Sequence, residues 1–147
     1  MLIGTTGPRG LAIAGRVADG IVLPEGSGPA AVRWAREQAG GTTIVYAWLR
    51  VSDDAQAAVS ALRPAVAAWV ASGTYPRLAE LAGLADGTVD DAVVRSIAVV
   101  GDPAQCARAV EALWDAGADS VVLVPPPDDG AEQIARFAAA VRPLLAR

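Results

Sequence analysis

Short apolar runs alternate with longer amphipathic stretches from one end of this chain to the other, and that alternation restricts the folds open to it more than any single motif. The apolar runs are Leu2-Ile3-Gly4, Ile21-Val22-Leu23-Pro24, Thr43 to Val51, Ile97 to Val100 and Ser120 to Val124. Between them lie stretches with helical spacing and helix punctuation. Pro8 to Ala18 carries Leu11, Ile13, Ala14 and Val17, with Pro8 suited to a first turn and Thr6 or Gly7 to the N-cap. Ser27 is expected to cap a second helix that has Pro29 in its first turn and Gly40 beyond its end. Ser52-Asp53-Asp54 opens a helical stretch to about Ser72, where Pro64 predicts a kink or two segments. Residues 74 to 96 are less regular, with short helices expected at Pro76 to Ala82 and Asp90 to Ser96, and the part near 74 to 90 reads as an insertion. Asp102-Pro103 starts a helix that ends at Gly117, and a last helix runs from about Ala131 to Leu145.

Strands that alternate with helices predict a parallel sheet covered by helices. Ser120-Val121-Val122-Leu123-Val124 is apolar enough for burial on both faces. The chain shows no internal repeat, low-complexity tract or linker, so its 147 residues are expected to form one domain. Charged residues, at 19%, go with a packed core rather than disorder. A net charge of −4 offers no footprint for nucleic acid. No apolar stretch approaches the roughly 18 residues of a membrane span. The N-terminus does not read as a signal peptide. A single cysteine, Cys106, excludes an internal disulfide and points to a reducing cytoplasm. The absence of His excludes His-based triads and His metal sites, so no metal is expected.

Three segments are candidates for chemistry. The loop Gly4-Thr5-Thr6-Gly7-Pro8-Arg9-Gly10 joins a strand to a helix; its small residues allow close approach, and the helix start offers N–H groups and a positive dipole end to a phosphate. A tight turn with an N-cap is the plainer reading. The loop Leu23-Pro24-Glu25-Gly26-Ser27-Gly28-Pro29 also follows a strand, and Glu25 there either lines a pocket or, with Ser27, complements a helix start. Tyr46, Trp48 and Arg50 alternate on one strand face, where they either stack on a planar ligand or pack against neighbouring elements. Trp34, Trp69 and Trp114 are expected to be structural. Asp53-Asp54, Asp90-Asp91 and Asp128-Asp129 are expected to cap helices rather than bind metal. Cys106 is expected to be a small buried apolar residue. No residue stands out as a general acid or base, and the catalytic residues are left unassigned.

Taken together, Leu2 to Leu11 with Ala14-Gly15-Arg16-Val17-Ala18-Asp19-Gly20, the strand Thr43 to Val51, and Val99-Val100-Gly101-Asp102-Pro103 through Ala116-Gly117-Ala118-Asp119 to Val121-Val122-Leu123 resemble the luciferase-like monooxygenase family, which includes deazaflavin-dependent reductases. The resemblance implies half of a (β/α)8 TIM barrel: four parallel βα units, with extra short helices before the last. A flavodoxin-like open sheet is the structural alternative. The resemblance implies an oxidoreductase (a monooxygenase or reductase) that uses FMN or coenzyme F420 on a small-molecule substrate. Thr5, Thr6, Gly7 and Pro8 would line the site of the cofactor's phosphate, with Glu25 near the second loop. Strands one to four of the family pattern are missing, which implies that the isolated chain is incomplete. Its open edges predict a homodimer, a higher assembly or pairing with a complementary N-terminal half-barrel. A non-catalytic binding or assembly module, or a truncated product, is the alternative function.

Overall fold

The computed structural model describes residues 1–84 and 87–146. The order of elements follows the alternation in the sequence. β1 (Leu2–Gly4), α1 (Pro8–Val17), β2 (Gly20–Leu23), α2 (Pro29–Ala39), β3 (Thr42–Val51) and α3 (Ala55–Ala71) come first. Then follow the short α4 (Pro76–Leu81) and α5 (Asp91–Ile97), β4 (Ala98–Gly101), α6 (Pro103–Asp115), β5 (Ser120–Val124) and α7 (Gly130–Arg136). The insertion expected near 74 to 90 contains α4; positions 85 and 86 of it lie outside the described residues.

All strand pairs are parallel: β1 with β2, β2 with β3, β3 with β4, and β3 with β5. Ile44 and Val45 pair with both β2 and β5, so those two strands flank β3 on opposite edges. Trp48 pairs with both β4 and β5, which puts the short β4 on the β2 edge, beyond the end of β2. The main sheet therefore runs β1-β2-β3-β5 in chain order, each strand followed by a helix. This is the expected half of a (β/α)8 arrangement, with extra short helices before the last unit.

Paired residues in register share a face, and neighbours along a strand alternate. Ile21, Leu23, Val45, Ala47, Leu49 and Val51 all point to one face and are buried. They pack with Leu11 and Ala14 of α1, Val32 and Ala35 of α2, Cys106 and Val110 of α6, and Val141. The row Gly4, Val22, Ile44 and Ser120 crosses all four main strands on the other face, and none of these residues belongs to a buried cluster. A second buried cluster joins α3 and α5 to β4 through Val59, Leu62, Val66, Val94, Ile97 and Val100.

Close packing explains part of the Ala-Gly-Arg…Asp-Gly segment. A Cβ on Gly20 would lie 2.0 Å from the carbonyl oxygen of Thr42, so only glycine lets β2 approach the start of β3. Asp119 ties the far side of the sheet: it accepts from the Thr43 backbone N–H at 2.8 Å and from Arg36 Nη1 at 2.7 Å.

Several local expectations are corrected. Of the two outcomes expected at Pro64, the split into two segments is excluded: α3 runs unbroken from Ala55 to Ala71, with Pro64 and Ser60 both exposed so that the carbonyl that loses its partner faces water. Gly28, not Ser27, is the N-cap of α2, and Ser27 is buried with no hydrogen-bond partner for its Oγ. Asp54 and Asp90 cap α3 and α5 as expected, but Asp129 makes no cap hydrogen bond. Its carboxylate is held by Arg50 Nη1 at 2.7 and 2.8 Å instead. The last helix is not α-helical throughout: α7 passes into a π-helical turn over Phe137–Val141 and a 3-10 turn over Arg142–Leu144.

Candidate functional site

The C-terminal ends of β1 and β2, with Tyr46 from the middle of β3, open onto a cavity of about 660 Å³, large enough for a cofactor. Gly4, Thr5, Thr6 and Gly7 form one wall, Val22, Pro24 and Glu25 another, and Tyr46 and Tyr75 complete the lining. The two candidate loops are thus brought together, although residues 4–7 and 24–25 are separated in sequence by all of α1 and β2. Pro8 begins α1 and does not line the cavity.

The loop after β1 owes its shape to the helix that follows. Gly7 is the N-cap of α1, with Pro8 at the start of the helix, and no side chain caps the first turn. A helix start of this kind presents N–H groups and a positive dipole end, the arrangement that suits an anion. A Cβ on Gly10 would lie 2.0 Å from Thr5 Oγ1, so the bare α-carbon one turn into the helix makes room for the Thr5 side chain. Arg9 is exposed and absent from the lining, which leaves Glu25 as the charged side chain there among the described residues.

The Tyr46, Trp48, Arg50 face divides into three roles. Tyr46 lines the cavity and is 37% exposed. Trp48 meets Trp69 of α3 edge-on, with ring centroids 5.9 Å apart, and so packs against the second core. Arg50 pairs with Asp129, and Gln133 beside it accepts from the Val51 backbone N–H at 2.7 Å, closing the end of β3 against α7. Sequence reasoning singled out neither Val22, read only as part of a strand, nor Tyr75. Tyr75 stacks on Trp69 at a 25° interplanar angle, centroids 6.4 Å apart, and its signal was slight: an aromatic directly before the proline that opens α4.

The other candidates are structural. Trp34 packs against the main core under the Arg77 guanidinium, 5.3 Å from the ring centroid. Burial pushes the Cys106 thiol up to about 12, with Asp102 adding to the shift, which keeps it protonated and unreactive. Among the described residues no group of carboxylates or sulfur is placed to hold a metal ion.

The profile of the luciferase-like monooxygenase family matches residues 1–120. The chain belongs to this family. No curated protein matches it in sequence. Solved structures of similar fold include the coenzyme F420-dependent tetrahydromethanopterin reductase of Methanopyrus kandleri, at 21% identity and a TM-score of 0.70, with 98% of this chain covering 50% of that one. An F420-dependent secondary alcohol dehydrogenase, solved with an F420-acetone adduct, matches at 20% identity and 0.64, covering 96% of this chain and 48% of that one. The oxygenating constituent of 3,6-diketocamphane monooxygenase from the CAM plasmid of Pseudomonas putida, solved with FMN, matches at 19% and 0.64, covering 98% and 48%. This luciferase-like chain therefore spans about half the length of these structural neighbours. No helix among its described residues is long and apolar enough to cross a membrane.

Proposed function

We propose that the chain is the phosphate-holding half of an FMN- or F420-dependent oxidoreductase. The observation that carries this reading is the cavity at the C-terminal strand ends, where Thr5, Thr6 and Gly7 meet Glu25. Ligands of parallel barrels sit at that end, and a helix start with hydroxyls beside it fits a phosphate. The structural neighbours supply the cofactor class: two are named as F420-dependent, and one was solved with FMN. Thr5 and Thr6 donate hydroxyl hydrogen bonds to phosphate oxygens, and Gly7 lets them approach its backbone. Pro8 contributes by fixing the first turn of α1 rather than by contact. Glu25, Tyr46 and Tyr75 border the remaining length of the cofactor. The bound flavin or deazaflavin supplies the electron or hydride chemistry, and the protein supplies position and dryness.

Completion of the site requires a second wall, from an oligomeric partner or a complementary half-barrel, and the small-molecule substrate meets the cofactor between the two walls. A cytoplasmic location is part of this reading, supported by a single cysteine that forms no disulfide. A binding module without turnover is the second reading, favoured by a lining that, among the described residues, offers Glu25 as its sole carboxylate.

Fluorescence titration with FMN and with F420 tests the proposal. Saturable binding that weakens about tenfold or more in Thr5→Val/Thr6→Val supports it, since each lost hydrogen bond to a charged group is worth roughly 1.5–3 kcal/mol. Absence of binding for both cofactors refutes it. Binding without reduction of any carbonyl substrate, or oxygenation of any, selects the second reading.

A further inference from the structure

A second cavity, of about 320 Å³, opens at the C-terminal end of β3, where α3 and α7 meet that strand. It is separate from the cofactor cavity. Tyr46 and Arg50 share a face of β3 but lie four residues apart, roughly 13 Å along an extended strand, and Trp48 with its partner Trp69 stands between them. Ligands of parallel β/α folds gather at this end of the strands. The volume lies at the low end of ligand pockets and suits a small molecule.

The lining is charged and held in place. Arg50 Nη1 donates to both oxygens of Asp129, at 2.8 and 2.7 Å. Gln133 Nε2 donates to Asp129 at 3.2 Å, and the Val51 backbone N–H holds Gln133 by donating to its Oε1 at 2.7 Å. This chain of bonds fixes the guanidinium by one nitrogen. Among the described residues its Nε and Nη2 have no acceptor, although the side chain is only 24% exposed. A fixed guanidinium edge with spare donors suits a carboxylate. Arg136 lines the same cavity; Asp53, 3.5 Å from it, is 91% exposed, and so loose a pair leaves Arg136 available as a second cation. Glu132 supplies the opposite charge: it is exposed, lines the cavity and has no ion-pair partner among the described residues. Ala57, Ala58 and Ala61 of α3 contribute only methyl groups, which leave room and an apolar floor.

Asp129 offsets the charge of Arg50, so the lining offers one loosely paired cation, the spare donors of Arg50 and one unpaired carboxylate. A ligand with a single charge leaves part of that set unanswered, and a ligand with both charges answers all of it. We infer that this cavity is a binding site for a small zwitterion of the amino-acid kind, with its carboxylate on Arg50 and Arg136, its ammonium on Glu132 and its aliphatic part on the alanine floor. The site goes beyond the cofactor reading and does not rest on it.

Nuclear magnetic resonance titration of the cofactor-free chain with L-norvaline, pentanoate and butylamine tests it. These probes have aliphatic chains of similar length and carry both charges, the carboxylate alone and the ammonium alone. The Arg50 Nε–H and Gln133 side-chain amide signals should shift saturably. L-Norvaline should bind about tenfold or more tighter than either of the others, the factor expected for a hydrogen bond between charged groups. Glu132→Gln, at an exposed position, should reduce L-norvaline to the affinity of pentanoate and leave pentanoate no weaker. Arg136→Gln should weaken both. Equal affinities for L-norvaline and pentanoate overturn the inference. So does the absence of a shift with all three probes, or undiminished L-norvaline binding in Glu132→Gln. Failure of both FMN and F420 to bind would refute the proposed function and leave this site standing.

Discussion

The two faces of the main sheet are built from the same strands and meet opposite fates. One carries Ile21, Leu23, Val45, Leu49 and Val51 into a core closed by α1, α2 and α6. The other carries Gly4, Val22, Ile44 and Ser120 across the sheet, with Tyr46 rising from it into the cavity, and among the described residues this row belongs to neither buried cluster. Near the end of β3 that second face is partly roofed, where Trp48 meets Trp69 and Arg50 meets Asp129. The contrast separates what stabilises the chain from what the chain does. On the proposed reading the second face is left open for a ligand.

Substitutions on the two faces should differ accordingly. Leu49→Ala removes a fully buried side chain from the first face and should cost about 2–5 kcal/mol in urea unfolding. Gln133→Leu acts at the junction of the faces. It strips the acceptor from the buried Val51 N–H and should cost about 1–3 kcal/mol, with the Arg50–Asp129 pair left in place. Val22→Thr, on the open face, should change stability by less than about 0.5 kcal/mol while altering cofactor affinity. Equal costs for Leu49→Ala and Val22→Thr would erase the distinction. The smallest effect is a chemical one: Cys106 should resist a thiol reagent at pH 8 in the folded protein, since its pKa of about 12 leaves it protonated, and react on unfolding.

Most of the first face was legible in the sequence, because it is written in periodic apolar residues and in punctuation that acts locally. Pro8, Pro29 and Pro103 begin helices, Gly40 follows one, and Asp54, Asp90 and Asp102 cap the next turn, each through bonds within a few residues. Misread features depended on distant partners. Asp129 looked like a cap because Arg50, 79 positions away, was not in view. Ser27 looked like a cap because nothing nearby showed that Gly28 would take that place against Ser96. The cavity was half legible: Thr5, Thr6 and Glu25 announce themselves as strand-end loops, but Tyr75 reaches it from an irregular stretch whose path depends on Trp69.

Amide hydrogen exchange along the sheet of the 147-residue chain tests the central claim most directly. β3, paired along both edges, should be protected to the limit set by global unfolding. The amides of β1 that point away from β2 should exchange freely. Protection of β1 as complete as that of β3 would mean that the sheet is closed within these residues, and would contradict the half-barrel account.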